Sequence, residues 1–142
     1  MASLLASFSP DVVANLKNDF EFKRSDGNIE IIGHCHIWTG AKTTLFRRRT
    51  SFYGRFYASK ACLKRSRGRG EYILVHILAY FLHTGLLPSS TTTPTMEISH
   101  LCGNSLCCNP VHLNLETHET NTGRKHCHDR GHCIGHVPMC IF

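Results

Sequence analysis

Thirteen of the chain's nineteen cysteine and histidine residues fall in its last 43 positions, from His100 to Phe142. Thiols and imidazoles at that density make a poor hydrophobic core and good ligands for soft or borderline metal ions. This third of the chain is therefore expected to fold around metal rather than around apolar side chains. The ligands fall in two sets. Cys102, Cys107 and His112, with four residues between each and the next, supply three, and Cys35 far upstream is the expected fourth. Cys127, Cys133, His136 and Cys140 supply four within fourteen residues. Each set has the Cys3His composition of a closed structural zinc site. Cys108 could compete with Cys107, and His128 or His132 could replace His136. Cys62, His118 and His126 read as unliganded.

Eight cysteines could instead form a disulfide framework, which belongs mainly to exported chains. No Lys or Arg precedes the mildly apolar stretch Met1 to Phe8 and no long apolar run follows it, so a secretory signal is not expected and the thiols are read as reduced. The longest apolar candidate, Tyr72 to Leu87, is interrupted by His76, His83, Thr84 and Gly85, short of the roughly 18 to 20 residues a membrane-spanning helix needs. With 142 residues and 42% apolar content, the chain has the size of one domain.

Charge is as uneven as ligand content. Ten of the sixteen Lys and Arg residues lie between Lys42 and Arg69, with no Asp or Glu among them. That stretch implies an anionic partner, above all nucleic acid. The formal net charge of +6 becomes +4 once two zinc ions and six thiolates are included, so metal leaves the chain basic.

Local signals divide the chain. Ser9 as N-cap, Pro10 at the first helical position, and Val12, Val13, Leu16 and Phe20 on one face predict a helix ending near Asp19 to Phe22. A turn at Ser25 to Asn28 leads into a strand over Ile29 to Trp38, and Phe52 to Ala58 alternates as a second half-buried strand with Arg55 outward. Lys60 to Gly70 reads as a basic loop. A buried helix is predicted from about Ile73 to His83, stopped by Gly85, with a strand start at Tyr72 left open. Ser89 to Thr95 is read as a loop. A further helix is predicted from Thr117 as N-cap, with Glu119 in its first turn and Arg124 and Lys125 near its end.

The run Ser99-His100-Leu101-Cys102-Gly103-Asn104-Ser105-Leu106-Cys107-Cys108-Asn109-Pro110-Val111-His112-Leu113, followed by Glu119-Thr120-Asn121, resembles the His-Cys box homing endonucleases, a branch of the HNH or ββα-metal nucleases. The likeness is close from Ile98 to Cys140, and looser at Cys35 and at Tyr53-Gly54-Arg55-Phe56. It implies an α+β fold in which a small antiparallel sheet accompanies a ββα-metal motif and two structural zinc sites stabilise both. By the same resemblance His100 is the general base that activates water, Asn121 holds one catalytic Mg2+, and an arginine from the sheet contacts the scissile phosphate. Arg55 is matched to that arginine, with Arg65, Arg67 and Arg69 as alternatives. His76 is read as packing.

The resemblance implies duplex DNA as partner, with Arg47, Arg48, Arg49 and Arg55 on a β-ribbon in the major groove and Lys60, Lys64, Arg65, Arg67 and Arg69 on phosphates. One domain is then expected over 1–142: an N-terminal helix (1–27), a DNA-binding sheet and basic loop (28–70), a buried helix and loop (71–97) and the nuclease motif (98–142). Related enzymes are homodimers that often exchange long C-terminal tails. Here two residues follow Cys140, so a monomer that nicks one strand stands beside the homodimer. The expected function is a Mg2+-dependent, site-specific endonuclease of homing type, working in the nucleus. The alternatives are a two-zinc DNA-binding module without catalysis and a nuclease directed at RNA.

Overall fold

In the computed structural model, which describes Leu5 and residues 8–43, 52–58, 72–89, 91 and 93–142, the first helix begins where its capping chemistry dictates. Helix α1 runs Pro10–Lys23. The Ser9 hydroxyl accepts from the Val12 N–H at 3.4 Å, and Pro10 stands where no N–H is needed. Leu16 and Phe20, one turn apart, are its buried residues. A wider turn, Arg24–Asn28, brings the chain into the sheet.

The extended run that follows is not the single strand expected. It folds back as an antiparallel hairpin of β1 (Ile29–Ile32) and β2 (Cys35–Trp38), with Ile29 opposite Trp38 and Ile32 opposite Cys35. The reason is Gly33, whose φ of +60° is a left-handed turn position that β-branched neighbours would resist. Residues 52–58 are strand only at β3 (Arg55–Phe56), which pairs with β4 (Ile73–Leu74). That pairing moves the start of the next helix, because α2 spans Val75–Thr84. Gly85, at φ +74°, closes it with its N–H on the Phe81 carbonyl at 2.8 Å. The basic residues Arg47, Arg48, Arg49, Lys60, Lys64, Arg65, Arg67 and Arg69, and Cys62, lie outside the described residues.

The last third is a ββα unit. Strands β5 (Met96–His100) and β6 (Leu113–Thr117) pair antiparallel, with Met96 opposite Thr117 and His100 opposite Leu113, and α3 (His118–Arg130) follows directly. Thr117 caps α3 by accepting from the Thr120 N–H at 3.2 Å. The helix runs on to Gly131, at φ +80°, so Arg124 and Lys125 sit in its middle rather than near its end.

The core gathers Leu16, Phe20, Trp38, Phe56, Ile73, Val75, Leu78, Ile98 and Leu113. At its centre Phe20 stacks on Trp38 with ring centroids 6.4 Å apart, and Phe56 meets both edge-on. Gly54 is required there, because a Cβ on it would lie 2.7 Å from the Trp38 ring and 2.9 Å from Val75. No described helix is long and apolar enough to cross a membrane.

Candidate functional site

The loop between β5 and β6 carries Cys102, Cys107 and His112, and the backbone of β2 fixes where it lies. The Trp38 N–H donates to the Leu106 carbonyl at 2.9 Å and the Cys108 N–H to the His36 carbonyl at 2.7 Å, so the loop is stitched to the strand that begins with Cys35. The Asn109 amide donates to the His34 carbonyl at 2.8 Å, while its side-chain oxygen accepts from the Val111 N–H in the short turn Pro110–His112. That turn carries His112 inward, where Nδ1 lies 3.5 Å from Cys35 Sγ and 3.6 Å from Cys107 Sγ. The second set, Cys127, Cys133, His136 and Cys140, places its three sulfurs 3.4, 3.6 and 3.8 Å from His136 Nδ1.

These spacings test the metal directly. A tetrahedral ion bonded at about 2.3 Å to sulfur and about 2.0 Å to nitrogen holds S and N roughly 3.6 Å apart. Within each set of four, all ligand atoms lie within 4.8 Å of one another. Both sets therefore fit zinc, bound through Nδ1 of one histidine and three thiolates. Without a cation the sulfurs share protons unevenly. The Cys102 hydrogen bond pulls the Cys107 thiol down to about 5, the Cys102 thiol is itself pushed up, and burial lifts Cys140 to about 11. Three adjacent thiolates need a dication to coexist. Cys108, the competitor for the first set, stays outside it: burial raises its thiol to about 12, and it donates to the His36 carbonyl. His136 takes the histidine place of the second set, and Gly123 of α3 makes room for it, since a Cβ there would lie 2.9 Å from the His136 ring.

Between β5, α2 and α3 opens a cavity of about 800 Å3 whose lining includes Tyr53, His76, Glu97, His100, Asn121 and Lys125. His100 ends β5 and Asn121 stands on the first turns of α3, so the ββα unit brings to one wall two residues that are 21 positions apart. The His100 Nε2 is buried and has no hydrogen-bond partner, while the ring's bond to the protein goes to the Cys107 backbone. Burial brings the His100 pKa down to about 4, and Lys125 pushes the same way against the Cys107 hydrogen bond. The ring is thus neutral near pH 7, and the residue lines the cavity while Nε2 itself is buried without a partner.

His76, expected as packing, is buried but also lines that cavity, its ring 4.7 Å from His100 and 5.3 Å from Tyr53. Burial holds it neutral as well, well below its ordinary value. Asn121 donates through Nδ2 to Glu97 at 2.7 Å. Arg55 does not line the cavity. Its guanidinium lies over the rings of Tyr72 and Tyr57, 5.3 and 5.8 Å from their centroids, and its Nε is buried without a partner. His118 pairs with Glu97 at 2.8 Å, and His128 Nε2 donates to the Leu101 carbonyl at 2.9 Å.

Two arrangements escaped the sequence. One is Glu97 beneath Asn121. The other is Glu116 with Arg124, a pair buried to 7% and 1% exposure. Arg124 grips both carboxylate oxygens of Glu116 and also donates to the Pro138 carbonyl at 2.8 Å. Glu116 accepts further from Ser99 and from Asn114. Burial alone would raise the Glu116 carboxyl, but the bonds from Arg124, Ser99 and Asn114 outweigh it and leave the pKa lowered. The available signal was charge among apolar neighbours, since Glu97 lies between Met96 and Ile98 and Glu116 follows Leu115.

No solved structure matches the chain. A family profile does, described as the zinc-binding loop region of homing endonuclease, over residues 36–141. It spans three quarters of the sequence, including seven of the eight ligands in the two sets. By that match, and with two Cys3His clusters spaced for zinc, the chain belongs to the homing endonuclease zinc-binding loop family.

Proposed function

We propose that the chain, as a single domain, is a Mg2+-dependent endonuclease that hydrolyses double-stranded DNA at specific sites. The observation that carries this reading is the meeting of a neutral His100, its Nε2 unpartnered, with Asn121 on one cavity wall. Phosphodiester hydrolysis needs a base for water and an oxygen donor that can hold a hard cation, and these two side chains have that chemistry. The Asn121 carbonyl would hold Mg2+, with cavity space left for the waters such an ion retains. When bound, the cation supplies charge neutralisation at the phosphate and at the leaving oxygen.

The protein's own part is the proton. The Cys107 hydrogen bond fixes the His100 ring and its tautomer, so Nε2 accepts the proton of a water as that water's oxygen attacks phosphorus. The bond from phosphorus to the 3' oxygen breaks, leaving a 5'-phosphate and a 3'-hydroxyl. DNA phosphates entering the cavity raise the proton affinity of Nε2 from its low resting value, which brings the base closer to neutral pH when substrate is bound. Arg55 follows Tyr53 by two residues along an extended segment, on the same face as a cavity-lining side chain. A swing of its guanidinium off the tyrosine rings would direct it to a phosphate. The basic stretch Lys42 to Arg69 supplies the remaining phosphate and groove contacts.

Supercoiled and linear plasmid DNA, and genomic DNA for rare sites, incubated with purified protein with and without Mg2+ test this. Discrete cuts that require Mg2+ and disappear in His100→Ala are the expected result. Salt-sensitive binding without cutting on any of the three DNAs would overturn catalysis in favour of a two-zinc DNA-binding module. Preference for duplex RNA over duplex DNA would overturn the choice of substrate.

A further inference from the structure

Glu97 is a charged residue on a wall where the proposed chemistry assigns it no part. It stands on β5, and both its oxygens are engaged by α3: Oε2 accepts from Asn121 Nδ2 at 2.7 Å, and Oε1 meets His118 Nδ1 at 2.8 Å. His118 and Asn121 are three residues apart on one side of the helix, so a single carboxylate spans both. An ionised carboxylate accepts hydrogen bonds and donates none. The end of the Asn121 amide that faces it must therefore be the NH2 group, and a reversed amide would set oxygen against oxygen at hydrogen-bond distance.

We infer that Glu97 is a positioning residue that fixes the rotation of the Asn121 amide, so that Oδ1 rather than NH2 is presented to a divalent cation in the cavity. The cation enters through the endonuclease reading, on which this inference rests for its purpose though not for its geometry. An amide left free to rotate would offer the cation a donor group in one of its two orientations. Groups that orient a ligand from behind change metal affinity by about 10- to 100-fold when removed.

Two variants separate orientation from direct ligation. Glu97→Gln keeps an oxygen that can accept from Asn121, whereas Glu97→Leu keeps bulk and removes the acceptor. The first readout is the Mg2+ concentration giving half-maximal cutting of whichever DNA the wild type cleaves. The second is independent of activity: Mn2+ titrated into 15N-labelled full-length protein, following the broadening of the Asn121 side-chain amide resonances. Glu97→Leu should raise both midpoints by about tenfold or more, and Glu97→Gln by less than about threefold. Melting temperature and DNA affinity without added divalent ion should stay near wild type in both.

Unchanged midpoints in Glu97→Leu would overturn the inference. Equal damage from Gln and Leu would overturn it too, because the carboxylate would then be holding the ion itself. If the wild type cuts no DNA, the nuclease reading fails alone, and the Mn2+ titration still decides the role of Glu97.

Discussion

The molecule is held together by two different kinds of chemistry, and the contrast explains how it can carry an open polar cavity. Around Trp38, stability comes from fit: Phe20, Phe56, Val75 and Leu78 fill space against the indole, and even a methyl group at Gly54 would collide. From β5 onward, where Ile98 and Leu113 still join that core, bonds take a growing share. The last twelve residues after α3 leave Ile134, Val137 and Met139 largely exposed, and what ties them down is the second ligand set, the Arg124 contact to Pro138 and the Ile141 N–H on the Leu101 carbonyl at 2.8 Å. A region stabilised by bonds need not be filled with apolar side chains, so its interior wall can be given to His100, Asn121 and Glu97.

The comparison breaks most visibly if metal is removed. Structural zinc sites contribute on the order of 10–16 kcal/mol to the folding of small domains. Cys127→Ser should leave residues 131–142 without protection in hydrogen exchange, and elemental analysis should fall from two zinc ions per chain to one. Amides in β2 and α2 should keep most of their protection, and equal loss in both regions would mean that the halves are not stabilised separately. Phe56→Ala is the converse test, expected to cost about 4 kcal/mol in urea unfolding through the cavity it leaves, with two zinc ions retained.

A third test sharpens the boundary between the two. Arg124→Met strands the buried Glu116 carboxylate and should cost about 3 kcal/mol, whereas pairing it with Glu116→Leu should restore much of that loss. A double variant no better than the single would show that Arg124 matters more for Pro138 and Cys140 than for Glu116.

The smallest effect concerns pH. His76 is held neutral by burial, so the folded state binds fewer protons than the unfolded chain once pH falls below about 6.5. Its contribution is present above that pH and is lost as pH drops toward the lowered folded value. His76→Phe removes the term and should gain on the wild type by up to about 1.4 kcal/mol per pH unit below 6.5, read as the difference in urea midpoints at pH 7 and pH 5.5. A constant difference would mean that burial does not lower the His76 pKa in the fold.

What could be read in the sequence was whatever is written locally. Ser9 and Thr117 announce helix starts, Gly85 a helix stop, and the ligand spacings two metal sets, because each depends on residues a few positions apart. Cys35 was placed in the first set from a distance only because the local three left one coordination place to fill. The hairpin at Gly33 was missed because β-branched flanks outweighed one glycine. Glu97 with Asn121 and Glu116 with Arg124 were missed for another reason, that partners joined across a strand and a helix have no period to reveal them. The residues with the most concentrated charge, from Arg47 to Arg49 and from Lys60 to Arg69, fall outside the described residues, so the proposal that they contact DNA rests on composition.

The two ligand sets also differ in how far the chain must travel to assemble them. The first set spans 77 positions, from Cys35 to His112, and the second 13, from Cys127 to Cys140. Loop closure costs about 0.6 kcal/mol for each doubling of length, so the longer loop carries about 1.5 kcal/mol more before any metal bond forms. An unfolded chain can therefore close the short set on its own, while the long set waits for β2 and the β5–β6 loop to meet. Metal loading is expected to be ordered as a result: the tail can bind its ion while the rest of the chain is unfolded, and the site containing Cys35 fills as the two halves of the molecule come together.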